Sequence, residues 1–184
     1  ADLDTLDHGS LQLLPLLVSR AGDLPDETLA KQVRHVARFT WVRTELLTSR
    51  VAPVVAALSA AGLDPMLSKG AALVSAHGMP QRLRPMFDVD LAVPAGRLAV
   101  AGEVLHAAGL RSDLDAAIEL DPERLGRDLH AAGFEDGQGT SIDLHWHLLH
   151  VARNPELDQA FRSRAVECRF GGVACRATGL EDSL

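Results

Sequence analysis

The sequence predicts an α+β protein of α/β character, with an N-terminal helical lobe over residues 1–62 and a small mixed β-sheet flanked by helices over residues 63–184. Three observations lead there. Residues 1–62 carry apolar side chains on helical faces. After Gly62 the texture changes to short apolar runs of strand length, "FDVDLAV" and "TSIDLHWHLLHV". These runs alternate with brief helical stretches in the order β–α–β–α–β–β, which sets helices against a sheet. A chain of 184 residues is long enough for one domain with a real core, or for a helical lobe packed on a compact second unit.

The first helix, "SLQLLPLLVSRAG", shows one apolar face and ends at Gly22. The second runs through "PDETLAKQVRHVARFTWVRTELLTSRVAPVVAALSAAG", with Asp26 and Glu27 in its first turn and Gly62 at its end. Pro53 is expected to kink or divide it. The leucines of the first helix, with Trp41 and Trp146, read as core. "DPMLSKG" is a short apolar stretch stopped by Gly70, and "AALVSAHGM" reads as a brief helix. "FDVDLAV" is a strand with apolar residues on both faces, bounded by Pro94, and "AGRLAVAGEVLHAAG" is a helix closed by Gly109. Residues 111–139 are polar and without clear period, although "DPERLGRDLHAAG" is compatible with a helix. "TSIDLHWHLLHV" is the next strand. "RFGGVA" is a hairpin with Gly171 and Gly172 at its tip, flanked by Cys168 and Cys175. That register makes the cysteines a hydrogen-bonded pair, the wider kind, so free thiols are expected. The final "TGLEDSL" reads as a helix just starting, which suggests C-terminal helices missing from this chain.

Composition narrows the function. A net charge of −7 lacks the basic footprint that extended nucleic acid requires. The apolar runs "LLPLLV" and "VAPVVAALSAAGL" are too short or too interrupted to span a bilayer, and no signal segment opens the sequence, so a cytoplasmic protein is expected. Lys31 and Lys69 are the only lysines among 18 basic residues, in a chain dominated by arginine and alanine; under that coding bias a retained lysine is informative.

The chemistry concentrates in two runs. In "LRPMFDVDLAV", Asp88 and Asp90 stand two residues apart, on one face of a strand. In "TSIDLHWHLL", alternation puts Asp143, His145 and His147 on one face, opposite Ile142, Leu144, Trp146 and Leu148. If the two strands are neighbours, Asp88, Asp90 and Asp143 converge. Three carboxylates at short range stay ionised only with cations among them, and oxygen ligands favour Mg²⁺ or Mn²⁺. A carboxylate-held metal pair serves phosphoryl and nucleotidyl transfer. Phosphate needs donors too, and Ser68, Lys69 and Gly70 lie between a strand and a helix start, where backbone N–H groups favour anions. Gly70 admits close backbone approach, while Lys69 or Arg84 adds charge.

"LSKGAAL", "RLRPMFDVDLAV" and "IDLHWHL", in that order, resemble an uncharacterised bacterial nucleotidyltransferase family, a branch of the DNA polymerase β-like nucleotidyltransferase superfamily, over roughly residues 50–184. The resemblance implies a nucleotidyltransferase-like fold and NTP as substrate. It implies Asp88 and Asp90 as paired metal ligands, with Asp143 as the third carboxylate, ligating the catalytic ion and helping to deprotonate the acceptor. Ser68, Lys69 and Gly70 stand where the wider superfamily has a Gly-Ser pair gripping the triphosphate, and Arg84 matches a family arginine able to contact the nucleotide. His145 and Trp146 match family positions without an assigned role. The expected activity is transfer of NMP from an NTP to a hydroxyl-type acceptor, a small molecule or a protein.

Other readings stay open. Asp88 and Asp90 could be a strand-end pair facing solvent or paired with Arg82 and Arg84. The chain could be a non-catalytic nucleotide- or partner-binding domain. Asp143, His145 and His147, with His130 and His150 nearby, could form a zinc-dependent hydrolase site.

Overall fold

The computed structural model describes residues 7–21 and 27–183. The expected end of the first helix at Gly22 and the first-turn Asp26 lie outside them. Among the described residues are seven α-helices and six strands, in the order α1 (His8–Ala21), α2 (Glu27–Ala60), β1 (Met66–Leu67), α3 (Lys69–Ala76), β2 (Val89–Ala92), α4 (Leu98–Ala107), α5 (Asp115–Leu120), α6 (Pro122–Asp128), β3 (Ala131–Glu135), β4 (Ser141–His145), α7 (Pro155–Ser163), β5 (Val166–Phe170) and β6 (Val173–Ala177). The fold is mixed α and β, as the sequence predicts. "TGLEDSL" contributes a 3₁₀ turn at Leu180–Asp182.

Pro53 does not divide α2, which runs unbroken for 34 residues. Val51, Val54, Val55 and Leu58 are buried around it while Pro53 faces solvent, so packing holds the helix across the missing N–H. At the C-terminus, Gly62 takes φ +71°, its N–H donates to the Ser59 carbonyl and the Leu63 N–H donates to the Leu58 carbonyl. These are the paired bonds of a Schellman cap, and α4 closes the same way at Gly109. Helices α6 and α7 each begin with a side-chain cap, Asp121 or Asn154, followed by proline at the first helical position.

The sheet order is β3-β4-β2-β1-β6-β5. β2 pairs antiparallel with β1 and parallel with β4, so it lies inside the sheet, and all four of its residues are buried. One apolar cluster joins the sheet to Leu47–Leu58 of α2 and to α4.

The structure corrects three expectations. "DPERLGRDLHAAG" is helical only over Pro122–Asp128; Ala131–Glu135 is an edge strand on β4, with Ala132 and Phe134 buried. Its small residues conceal the two-residue period. Trp146 is core at 2% exposure, but Trp41 is 40% exposed. On α1, Leu13 and Leu17 stand out at 56% and 61%, and the helix packs on α2 and on a 3₁₀ turn at Gln81–Leu83 rather than on the sheet. Among the described residues, no helix is long and apolar enough to cross a membrane.

Cys168 and Cys175 face each other across the β5–β6 hairpin as free thiols, their sulfurs 3.5 Å apart. Burial, and then the neighbouring Cys168 thiol, pushes Cys175 up to about 12. The hairpin tip seats on α2: Gly171 has φ +54°, and a Cβ there would lie 2.7 Å from Ala52 Cβ. At Gly172, φ is +85° but nothing lies within 4 Å. Gly171→Ala is therefore expected to lower the unfolding free energy by about 2 kcal/mol in denaturant titration, and Gly172→Ala by less. Equal losses would mean that the tip does not rest on α2.

Candidate active site

Asp90 belongs to the buried strand β2 and is itself only 7% exposed. A carboxylate in such a place costs several kcal/mol unless partners replace the lost water. Two cationic groups reach it, each delivered by a neighbouring strand.

The first is Lys69. β1 runs antiparallel to β2, with Met66 opposite Ala92 and Leu67 opposite Leu91, and the Ser68 N–H donates to the Asp90 carbonyl. The chain then turns into α3 through Lys69, whose φ of +49° is in the left-handed region. For a non-glycine residue that conformation costs about 1 kcal/mol. It carries the Lys69 ammonium to 2.5 Å from Asp90 Oδ1 and 3.9 Å from Asp143 Oδ2.

The second is His145. β4 runs parallel to β2 on the other flank, with Asp143 opposite Asp90 and His145 opposite Ala92. Opposed residues share a face of the sheet, so Asp143 stands beside Asp90, and His145, two residues on, turns to the same side. Its Nε2 lies 3.0 Å from Asp90 Oδ1 and 3.1 Å from Asp143 Oδ2. One imidazolium thus clasps both carboxylates.

The charges respond to one another. Burial alone would lower the His145 imidazolium, but its hydrogen bonds to Asp143 and Asp90 outweigh that and raise it to about 9. The same bond holds the Asp143 carboxyl below the usual range. Desolvation also opposes the Lys69 charge, yet Asp90 and the other carboxylates raise it overall. Asp88, just before β2, is pushed up by desolvation and by the charges of Asp90 and Asp143. Among the described residues, His145 Nδ1 is buried without a hydrogen-bond partner.

A cavity of 240 Å³ opens beside Asp90, lined by Lys69, Gly70, Arg84, Asp88, Asp90 and Gln12. Arg84 packs against Gly70: a Cβ added there would lie 3.6 Å from the guanidinium carbon. Ser68 is the N-cap residue of α3 and is buried, but its side chain makes no cap hydrogen bond to the first turn. The structure therefore gathers Lys69, Gly70, Arg84, Asp88 and Asp90 around one cavity, with Asp143 beside Asp90; Ser68, the residue before Lys69, is not in the lining. Among the described residues, neither Arg82 nor Arg84 forms an ion pair with these carboxylates.

Asp90, Asp143 and His145 each offer a ligand atom within 4.8 Å of the others, a group able to hold a metal ion. The two carboxylates, with Asp88 close by, suit a hard divalent ion. His145, whose imidazolium the two carboxylates raise to about 9, acts as the clasp between them.

The zinc triad of Asp143, His145 and His147 does not assemble. β4 ends at His145, and the N–H groups of Trp146 and His147 both donate to the His130 carbonyl. That doubled bond breaks the alternation and sends His147 to Asp158, 2.6 Å from Nδ1, and to the Gly126 carbonyl, 2.8 Å from Nε2. Both ring nitrogens are committed. Gln12 was missed in the sequence, where a lone glutamine in a leucine-rich helix carries no signal.

A family model described as an uncharacterised nucleotidyltransferase matches residues 7–184. The chain belongs to that family. No curated protein and no solved structure matches it. The nucleotidyltransferase family match begins just before α1, so it takes in α1 with Gln12 and the whole of α2 as well as the strands.

The clasp has a measurable signature. His145 is raised to about 9 from an ordinary 6.5, so its stabilising charge is fully present below about pH 6.5 and lost as pH rises through about 9. In divalent-free buffer, NMR should show one histidine titrating near 9. Unfolding free energy should fall across that window, and His145→Gln should flatten the fall. A His145 titrating near 6.5 would contradict the clasp.

Proposed function

We propose that this chain is a divalent-metal-dependent nucleotidyltransferase that moves NMP from an NTP to a hydroxyl-type acceptor. One observation carries the reading. Asp90 and Asp143 stand side by side across β2 and β4, next to a cavity lined by Lys69, Gly70 and Arg84. Membership of a nucleotidyltransferase family supports it.

In this reading Asp88, Asp90 and Asp143 would hold Mg²⁺ or Mn²⁺, which would lower the pKa of the attacking hydroxyl and neutralise phosphate charge. Lys69, Arg84 and the first-turn N–H groups of α3 receive the triphosphate, with Gly70 giving room and Ser68 shaping the turn. Asp143 accepts the acceptor's proton as the oxygen attacks the α-phosphorus. The bond to the bridging oxygen breaks, and pyrophosphate leaves with the electron pair. His145 keeps Asp90 and Asp143 aligned. The acceptor is a small molecule or a protein side chain; the acidic chain offers little to extended nucleic acid.

A second reading, a nucleotide-binding module without turnover, is favoured by one contact: the Lys69 ammonium sits 2.5 Å from Asp90 Oδ1, where it competes with any cation for that carboxylate. Calorimetry with Mg²⁺–NTP and a pyrophosphate-release screen over hydroxyl acceptors separate the two. The proposal expects metal-dependent binding and acceptor-dependent pyrophosphate, with Asp90→Asn lowering turnover by at least about a hundredfold while circular dichroism stays unchanged. Binding without pyrophosphate release selects the module. No binding of any nucleotide overturns both.

A further inference from the structure

A second cavity, of 550 Å³, lies between α1, α2 and the 3₁₀ turn at Gln81–Leu83. Pro15, Val18, Trp41 and Leu83 give it an apolar lining, and the exposed Arg38 and Arg82 flank it. Along the chain its lining adjoins that of the smaller cavity at Asp90 in two places. Helix α1 sends Gln12 into the smaller and Pro15 into the larger, one turn or about 5 Å apart. The chain passes from the larger to the smaller between consecutive residues, Leu83 and Arg84.

We propose that this larger cavity seats the base and ribose of the nucleotide, with the base stacked on Trp41. The inference rests on the reading of the Lys69 cavity as a triphosphate site. At 240 Å³ that cavity is smaller than the several hundred Å³ of an ordinary small-molecule site, room for polyphosphate but not for a whole nucleotide. The remainder needs an adjoining space with a flat apolar wall. Trp41 supplies one: its Nε1 donates to Glu45 Oε1 at 2.9 Å, one helical turn on, which fixes the ring while 40% of the residue stays exposed. Any base presents a π-face to such a ring, and Arg38 and Arg82 add cations suited to base carbonyls and stacking.

The acceptor belongs elsewhere. In-line displacement brings the attacking oxygen from the side opposite the leaving pyrophosphate. With the polyphosphate at the start of α3 against β1, that side is the β4 flank, where Asp143 stands beyond Asp90. Among the described residues, none from β3 or β4 lines the larger cavity.

Trp41 is its own reporter, since the other tryptophan, Trp146, is 2% exposed. Fluorescence titrations of the full chain with Mg²⁺–ATP, Mg²⁺–CTP and inorganic tripolyphosphate test the seat. Both nucleotides should quench the emission and tripolyphosphate should not. Trp41→Ala should weaken both nucleotides about tenfold to a hundredfold and leave tripolyphosphate affinity unchanged, while Trp41→Phe restores most of the loss. Nucleotide affinity unaltered by Trp41→Ala overturns the base seat while leaving the nucleotidyltransferase reading intact. Equal weakening of nucleotide and tripolyphosphate also overturns it. If neither nucleotide nor tripolyphosphate binds the wild-type chain, the triphosphate site fails and the seat fails with it.

Discussion

The carboxylate of Asp90, gripped by the Lys69 ammonium and the His145 imidazolium, ties together the three segments that make the site. Asp90 is on a strand with no exposed residue, so its charge is tolerable only with compensation at close range. Lys69 can supply it only if the chain between β1 and α3 takes a left-handed turn. His145 can supply it only if β4 lies parallel to β2 with Asp143 opposite Asp90. The turn, the register and the buried charge are one constraint seen from three directions. Removing either cation leaves a buried charge short of a partner, a loss larger than the bond's net worth.

The same contact sets the electrostatics of the cavity. Three carboxylates, Asp88, Asp90 and Asp143, face Lys69, His145 and, on the cavity wall, Arg84, so the charges nearly balance while the carboxylate oxygens still offer ligands to a divalent ion. Under the proposed function that ion would make the site net positive and the cavity hospitable to polyphosphate. Lys69, shared between Asp90 and the open cavity, can then turn from carboxylate to phosphate with little movement of its backbone.

Where alternation or cap chemistry is strong, the sequence reads directly. Gly62 and Gly109 announce helix ends because a Schellman cap needs φ > 0 there. Asp143 and His145 share a face because strands repeat every two residues. The parallel pairing that brings Asp143 to Asp90 is another matter, since register is decided by the long-range packing of the whole sheet. His147 misled because the alternation stops one residue too soon, at a doubled bond to the His130 carbonyl that leaves no mark in local sequence. β3 hid behind alanine and glycine. Gln12 and Trp41 are opaque for a different reason: their places at the two cavities come from how α1 lies across α2, and helical periodicity says which face is apolar but not what it rests against.

The most direct test of the central claim is a crystal soaked with Mn²⁺ and a non-hydrolysable NTP analogue. The account predicts an anomalous manganese peak within coordination distance of the Asp90 and Asp143 carboxylates, with the Lys69 ammonium drawn off Asp90 onto a phosphate oxygen. Manganese and triphosphate bound away from these carboxylates, with the Lys69–Asp90 contact undisturbed, would contradict it.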